Sequence, residues 1–412
     1  MRIVRTWTFE DQAIERYPTI PFEVPPGIRG IGVRIEVSGD GVVDLGCEGP
    51  DGWRGWSGGA RRDFVIFDDD ATPGYLPGTI EPGTWRVVLG LHSLPSGTVT
   101  VETEVTLDPD EVPDHGPCPE PVIRPAVSHA PDIPAPSGMR WVVGDTHAHS
   151  LHSDGELSLW ELANCATSSG LDFLCVTDHN TTSHHAHLEA VGKRHGITLV
   201  PGQEVTTHRG HANVFGDVGF IDFRSPAEQW VRQAHERGGW MSINHPVSGD
   251  CSWLHPLQEF PPGVELAHSD WWKERISTAG LAWAALHPQP FVLLGGGDFH
   301  SFDGLCRPGV PATWVAVEEL SAEAIIDAFR AGRTAVTLSC EEHNDGVWPM
   351  LKDIPMLVRS GTALVASHAR GLALVDADGC RQIVADERWT IEAPVGVYRL
   401  EDSRRNAMAM CC

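Results

Sequence analysis

The sequence predicts a mixed α/β chain: a parallel-stranded α/β barrel in the middle and β-rich segments on either side. Three observations predict it. From Trp141 to about residue 335, short apolar runs alternate with amphipathic helical stripes. Residues 1 to about 110 alternate with period two and are broken by Gly, Pro and Asp clusters, without a persuasive helix. Past Thr334 that alternation returns.

The elements follow in chain order. Gly32–Val37 and Trp85–Leu91 are typical of the first part, which reads as a β-sandwich-like domain over 1–112. Eight prolines between Pro113 and Pro136 forbid helix and central strand, so 113–138 reads as an extended, semi-rigid linker. The barrel region, 139–335, opens on the buried strand WVVGD. Ser158 and Glu161 form a capping box for a helix striped by Leu159, Leu162, Ala163 and Ala166 and closed by Gly170. LDFLCVTD is the next strand. Ser225, Pro226 and Glu228 start a helix striped by Ala227, Trp230, Val231 and Ala234, and Ser321 starts another striped by Ala322, Ile325, Ile326 and Phe329. The strands WMSIN, VELA and FVLLGG lie between them. Alternating β and α over this length implies a parallel sheet, most economically closed as a barrel. In the β-rich segment 336–412, LALVDADGC reads as a hairpin around Asp376–Gly379.

Composition excludes several classes. With 41% hydrophobic residues in 412, the chain has material for two or three cores and is not wholly disordered. Its formal charge is −26 and it has no Lys/Arg run, which argues against generic nucleic-acid or anionic-membrane binding. MRIVRTWTFEDQAIERYP lacks the apolar core of a secretory signal, and none of the ten cysteines sits in a CxxC pair. The expectation is reduced thiols and a cytoplasmic location, with Cys411 and Cys412 as exposed terminal thiols.

Metal-ligand residue types collect at strand ends, where a barrel builds its active site. His147 and His149 follow WVVGD, with Asp154 six residues past it. His179 follows LDFLCV, and Glu204 follows ITLVPGQ. His211 lies in GHANVFG, His245 in NHP, and Asp298 and His300 follow FVLLGGG. An H-x-H at a strand end points both imidazoles to one side, because side chains alternate. Gly295, Gly296 and Gly297 let the backbone turn closely before Asp298. His184, His185 and His187 read as an exposed helix start or loop instead.

The string DTHAHSLHSDG, followed by TDHN, GQE, GHANVFG, INHP and GGGDFH, resembles the PHP (polymerase and histidinol phosphatase) family over about residues 141 to 335. The resemblance implies a distorted, seven-stranded (β/α)7 TIM-like barrel holding two or three divalent ions. It implies that His147, His149, Glu204 and Asp298 hold the first ion, and Asp154, His179 and His300 the second. Glu204 (bridging), His211 and His245 would hold the third. The flanks GWSGGARRDF and AFRAGRTAVT look like the carbaryl-hydrolase-like branch of PHP metallohydrolases.

Imidazole and carboxylate without thiolate suits Zn²⁺, Mn²⁺ or Fe²⁺. Such ions would supply a bridging hydroxide near neutral pH, and their excess positive charge favours a small anionic or ester substrate. His152 and His208 are candidate proton donors to a leaving group, and Arg209 a candidate clamp for a phosphate. Asp145 is a candidate to orient an imidazole. The leading expectation is a phosphoesterase on small phosphate esters or nucleotides. A carboxylic ester, carbamate or amide hydrolase is the alternative, and the fifteen Trp would line its apolar pocket. A non-catalytic metal scaffold or carbohydrate-binding module is the reading outside enzymes. Homo-oligomerisation is compatible with the chain, and the role of its N-terminal domain is open.

Overall fold

The computed structural model describes residues 1–125, 133, 135–272, 276–287, 290–302 and 306–412; residues 126–132 and 134 of the expected linker lie outside it. It is mixed α/β and strand-rich, about 40% strand and 15% helix. The chain divides into two compact units. The first is Met1–Pro117 together with His149–Ser158 and Asp178–Ala186; the second is Cys118–Ala148, Leu159–Thr177 and His187–Cys412. Two loops from the central region therefore belong with the N-terminal strands.

The first unit has eight strands: β1 (Arg2–Thr8), β2 (Thr19–Val24), β3 (Gly30–Ser38), β4 (Val42–Gly49), β5 (Gly52–Gly58), β6 (Asp63–Phe67), β7 (Gly83–Ser93) and β8 (Thr98–Leu107). They form two antiparallel four-stranded sheets, ordered β1-β8-β3-β6 and β2-β7-β4-β5. Alternate residues face inward, as the period-two pattern dictates: Ile31, Val33 and Ile35 from β3 share one core with Val43, Leu45, Trp85, Val87 and Leu89. One short helix, α1 (Phe9–Ile14), interrupts the strands and is held by a capping box between Thr8 and Asp11.

The second unit is built on β9 (Arg140–Asp145), β10 (Phe173–Val176), β11 (Thr198–Thr207), β12 (Gly210–Phe215), β13 (Trp240–Ile243), β14 (Gly263–His268), β15 (Val292–Gly296), β16 (Ala312–Val317) and β17 (Thr334–Thr337). The helices α2 (Leu159–Ser168), α3 (His185–His195), α4 (Ala227–Glu236), α5 (Ser269–Trp272), α6 (Ala279–Leu286) and α7 (Ala322–Arg330) fall between strands. α2, α4 and α7 form where the stripes lie and bury Leu162, Trp230 and Phe329 among others. The Ser321 hydroxyl accepts from Ala324 N at the start of α7, as an N-cap does.

The parallel closed ring of the sequence reading is corrected in two respects. β9, β10 and β11 are parallel, as are β13, β14 and β15, but β12 is antiparallel to both its neighbours and β16 to β9 and β17. Only His208 and Arg209 separate β11 from β12, and so short a connection can join only an antiparallel pair. Among the described residues no backbone ladder joins β15 to β16; the Thr313 hydroxyl bridges them, 2.9 Å from Gly295 N and 2.6 Å from Gly295 O.

The same sheet continues through C-terminal strands to thirteen in all. Past β17 come β18 (Cys340–His343), β19 (Gly346–Pro349), β20 (Met356–Ser360), β21 (Ala363–Ser367), β22 (Ala373–Val375), β23 (Arg381–Ile383), β24 (Arg388–Glu392), β25 (Tyr398–Glu401) and β26 (Ala407–Cys411). β22 and β23 make the expected hairpin, closed by Gly379 N to Asp376 O at 3.0 Å. β26 pairs with β17 and β25, so Cys411 is buried rather than exposed. No helix among the described residues is long and apolar enough to cross a membrane.

Candidate metal centre

In the first unit, HSLHSDG and DHNTTSHHA form two buried loops. Asp178 organises them: its carboxylate accepts from Ser150 N (2.9 Å), Ser150 Oγ (2.7 Å) and Ser153 Oγ (2.7 Å). Gly155 closes the tight turn, since a Cβ there would overlap the backbone of His149 and Ser150. The result brings His149, Asp154 and His179 together. The two imidazoles stack with centroids 4.3 Å apart, His179 Nε2 is 3.5 Å from Asp154 Oδ1, and one ligand atom from each lies within 4.8 Å of the others.

These loops are fastened to the N-terminal strands. Gly74, at φ +103°, donates to Ser183 Oγ (3.0 Å) and lies 3.4 Å from His152 Nδ1, while its carbonyl accepts from Thr181 Oγ1 (2.8 Å). His152 is buried, with Nδ1 2.7 Å from Ser183 Oγ. His184 is also buried, 3.3 Å from Asp178 Oδ2, correcting the expectation that this helix start or loop is exposed. The chain turns inward there to reach Asp178. Burial pushes the Asp44 carboxyl of β4 up to about 7, against the opposing charges of Arg62, His179 and Arg16.

In the second unit, His147 emerges two residues past β9, fully buried, with Nε2 3.1 Å from both Glu204 Oε1 and Asp298 Oδ1. Glu204, on β11, offers that oxygen also to His211 Nδ1 (3.3 Å) and His245 Nε2 (3.4 Å), and accepts from Asn244 Nδ2 (2.7 Å). Five expected ligands therefore converge: His147, Glu204, His211, His245 and Asp298. His300 Nδ1 lies 2.8 Å from the Asp298 carbonyl, a contact that fixes the tautomer leaving Nε2 as an acceptor. His245 (φ +26°) and Asp298 (φ +51°) hold a left-handed backbone that non-glycine residues rarely adopt. Gly296 and Gly297 have no Cβ because Glu265, His147 and Asp145 occupy that space.

His268 and Glu265, both on β14, were missed by sequence reasoning. His268 Nε2 is 3.3 Å from Asp298 Oδ2, and its ring nitrogen lies within 4.8 Å of those of His147 and His245. Glu265 Oε2 is 2.9 Å from His147 Nδ1 and so performs the orienting role expected of Asp145. Asp145 instead grips backbone, accepting from His147 N (3.0 Å), Gly297 N (2.8 Å) and Gly309 N (2.7 Å). Burial lifts its carboxyl to about 6 even so. Of the remaining candidates, His208 is exposed on the β11–β12 turn, and Arg209 beside it donates Nη2 to the Leu254 carbonyl at 3.0 Å.

The second group fits a divalent cation. Ligands about 2.0–2.2 Å from one ion stand roughly 3.0–3.5 Å apart, and the contacts to Glu204 Oε1 fall at 3.1–3.4 Å. Burial by itself would depress His147, but Asp298, Glu204 and Glu265 outweigh it and raise this imidazole well above its ordinary range. His268 is raised likewise: burial opposes, and Asp298 and Glu265 prevail. A buried pocket this rich in carboxylate stabilises positive charge.

No protein-family profile matches the chain. It is 39% identical over 64 residues to a 5'-3' exoribonuclease of Haemophilus influenzae, 16% of this chain and 23% of that protein, so it spans about a quarter of that relative's length. A solved two-domain protein from Bacteroides vulgatus, described as containing a predicted PHP-like metal-dependent phosphoesterase, covers 68% of this chain and 97% of its own at 16% identity and a TM-score of 0.39. An amidohydrolase from Chromobacterium violaceum covers 38% of this chain and 87% of its own at 18% identity and a TM-score of 0.26.

Proposed function

We propose that the chain is a metal-dependent hydrolase of the PHP type whose substrates are small phosphoric esters. One observation carries the reading: three imidazoles lie within 3.1–3.4 Å of a single buried carboxylate oxygen of Glu204, with Asp298 on the same His147. This nitrogen and oxygen donor set suits Zn²⁺, Mn²⁺ or Fe²⁺. In the second unit His147, Glu204, His211, His245, Asp298 and His300 would hold metal, and in the first unit His149, Asp154 and His179. When bound, the ions supply Lewis acidity and a water acidic enough to lose its proton near neutral pH.

The chain's own residues do the rest. Glu265 orients His147, and Asp145 fixes the turns that carry His147 and Asp298. Arg209, anchored through Nη2 to the Leu254 carbonyl, would turn its guanidinium to an anionic ester oxygen, and exposed His208 would protonate the leaving group. His152, bound to Ser183, is the other candidate proton donor. The acidic chain attracts a phosphate through these local cations, not through net charge.

A Mn²⁺-supplemented panel of p-nitrophenyl phosphate, bis-p-nitrophenyl phosphate, a 5'-phosphorylated oligoribonucleotide and naphthyl carbamate tests the proposal. Phosphate-ester turnover that chelator abolishes, and that Glu204→Gln lowers at least about 100-fold, is expected. Turnover of the carbamate alone would replace it with the carboxylic ester, carbamate or amide reading and favour the carbaryl-hydrolase-like branch suggested by GWSGGARRDF and AFRAGRTAVT.

A further inference from the structure

The second unit contains a cavity of about 1120 Å³ at the end of its strands opposite the ligand cluster. Trp141 near the start of β9, Val292 at the start of β15 and Thr334 at the start of β17 line it, together with β20, β21 and Cys412. β9 and β15 run four residues further to Asp145 and Gly296, about 13 Å away at roughly 3.3 Å per residue, and His147 and Asp298 follow two residues past those ends. The space exceeds the roughly 300–1,000 Å³ typical of small-molecule sites.

Its wall chemistry is specific. Most of the lining is apolar, and among the described residues no Asp or Glu belongs to it, although the chain carries 56 of them. Three arginines do: Arg333, Arg359 and Arg388. Among the described residues none of the three forms an ion pair with a carboxylate, whereas Arg307, Arg381 and Arg399 each do. Arg359 is held in place by the carbonyls of Ala393 (3.1 Å) and Pro394 (2.9 Å), and its buried Nε has no hydrogen-bond partner among the described residues. Three guanidinium groups with no carboxylate partner among the described residues, set around an apolar hollow, suit a ligand that brings negative charge and apolar surface together.

We infer that this cavity is a second ligand site, separate from the metal centre, for an amphipathic organic anion: an apolar or aromatic body bearing one carboxylate, phosphate or sulfonate. The apolar walls take the body, and Arg333, Arg359 and Arg388 take the anionic group.

Fluorescence titration of the full chain with 8-anilinonaphthalene-1-sulfonate and with uncharged N-phenyl-1-naphthylamine tests this. The sulfonate is expected to bind at least about tenfold more tightly. Arg333→Met and Arg388→Met should each weaken the sulfonate about tenfold and leave the neutral probe unchanged. Arg388 is exposed, so its replacement leaves the fold intact. Glu204→Gln should bind both probes like the unaltered chain, which keeps this result independent of the metal centre. Equal affinity for the two probes, no binding of the sulfonate, or arginine variants that bind it undiminished would overturn the inference.

Discussion

Replacing Gly74 by Ala tests whether the N-terminal strands help build the ligand loops. Gly74 has φ +103°, and an added Cβ would stand 2.7 Å from Trp56 O and 2.9 Å from His152 O. Backbone strain for a residue with a Cβ costs roughly 1–3 kcal/mol. Forcing apart two close-packed backbone segments adds roughly 1–3 kcal/mol. Gly78 separates the two contributions: at φ +137° it is similarly strained, but its nearest neighbour is a flexible Arg54 nitrogen at 3.9 Å. Gly78→Ala should therefore cost the strain alone. Denaturant unfolding followed by tryptophan fluorescence should show Gly74→Ala as the less stable by roughly 1–3 kcal/mol. The clash would also push back the loop that carries His149 and Asp154, so metal content should fall in Gly74→Ala and hold in Gly78→Ala. Equal losses of stability, within about 0.5 kcal/mol, and equal metal content would refute the reasoning.

Three further outcomes are expected. His268→Ala should weaken metal binding roughly 10- to 100-fold in chelator competition; undiminished affinity would exclude His268 from the centre. Asp145→Ala strips three backbone amides of their acceptor and should cost roughly 3–5 kcal/mol in denaturant unfolding. A loss under about 1 kcal/mol would mean those amides find other partners. His255 is held down to about 4 by burial and the nearby positive charge of Arg209. The unfolded chain takes up this proton near pH 6.5 and the folded chain does not, so its contribution is complete above pH 6.5 and is lost as pH falls towards 4. His255→Gln should flatten that slope by about 2 kcal/mol after discounting for partial exposure; an unchanged stability–pH curve between pH 4 and 6.5 contradicts this.

Helices were legible wherever one apolar stripe met a cap, as in Ser321–Phe329, because a local pattern decides a local element. The ligands of the second unit were legible because strand ends in an α/β region are where side chains can converge. His268 carries that same signal at the end of VELAH, but the apolar residues of that strand dominate its pattern. Chain direction at β12 was not legible, since nothing in Thr207–Gly210 resembles a favoured hairpin turn. Nor were the partners of Asp145, which grips backbone that is chemically silent in a sequence. The contact of Gly74 with Ser183 spans 109 positions, and no local pattern encodes such a meeting.

The interleaving of the first unit bears on how the protein is made. Its strands emerge from the ribosome well before Asp178–Ala186, so Gly74 waits for Thr181 and Ser183 while more than a hundred further residues are synthesised. A fragment cut at Pro117 would retain both sheets and lose the loops that cover Gly74. Such a piece should be stickier and more easily digested than the same residues within the whole chain.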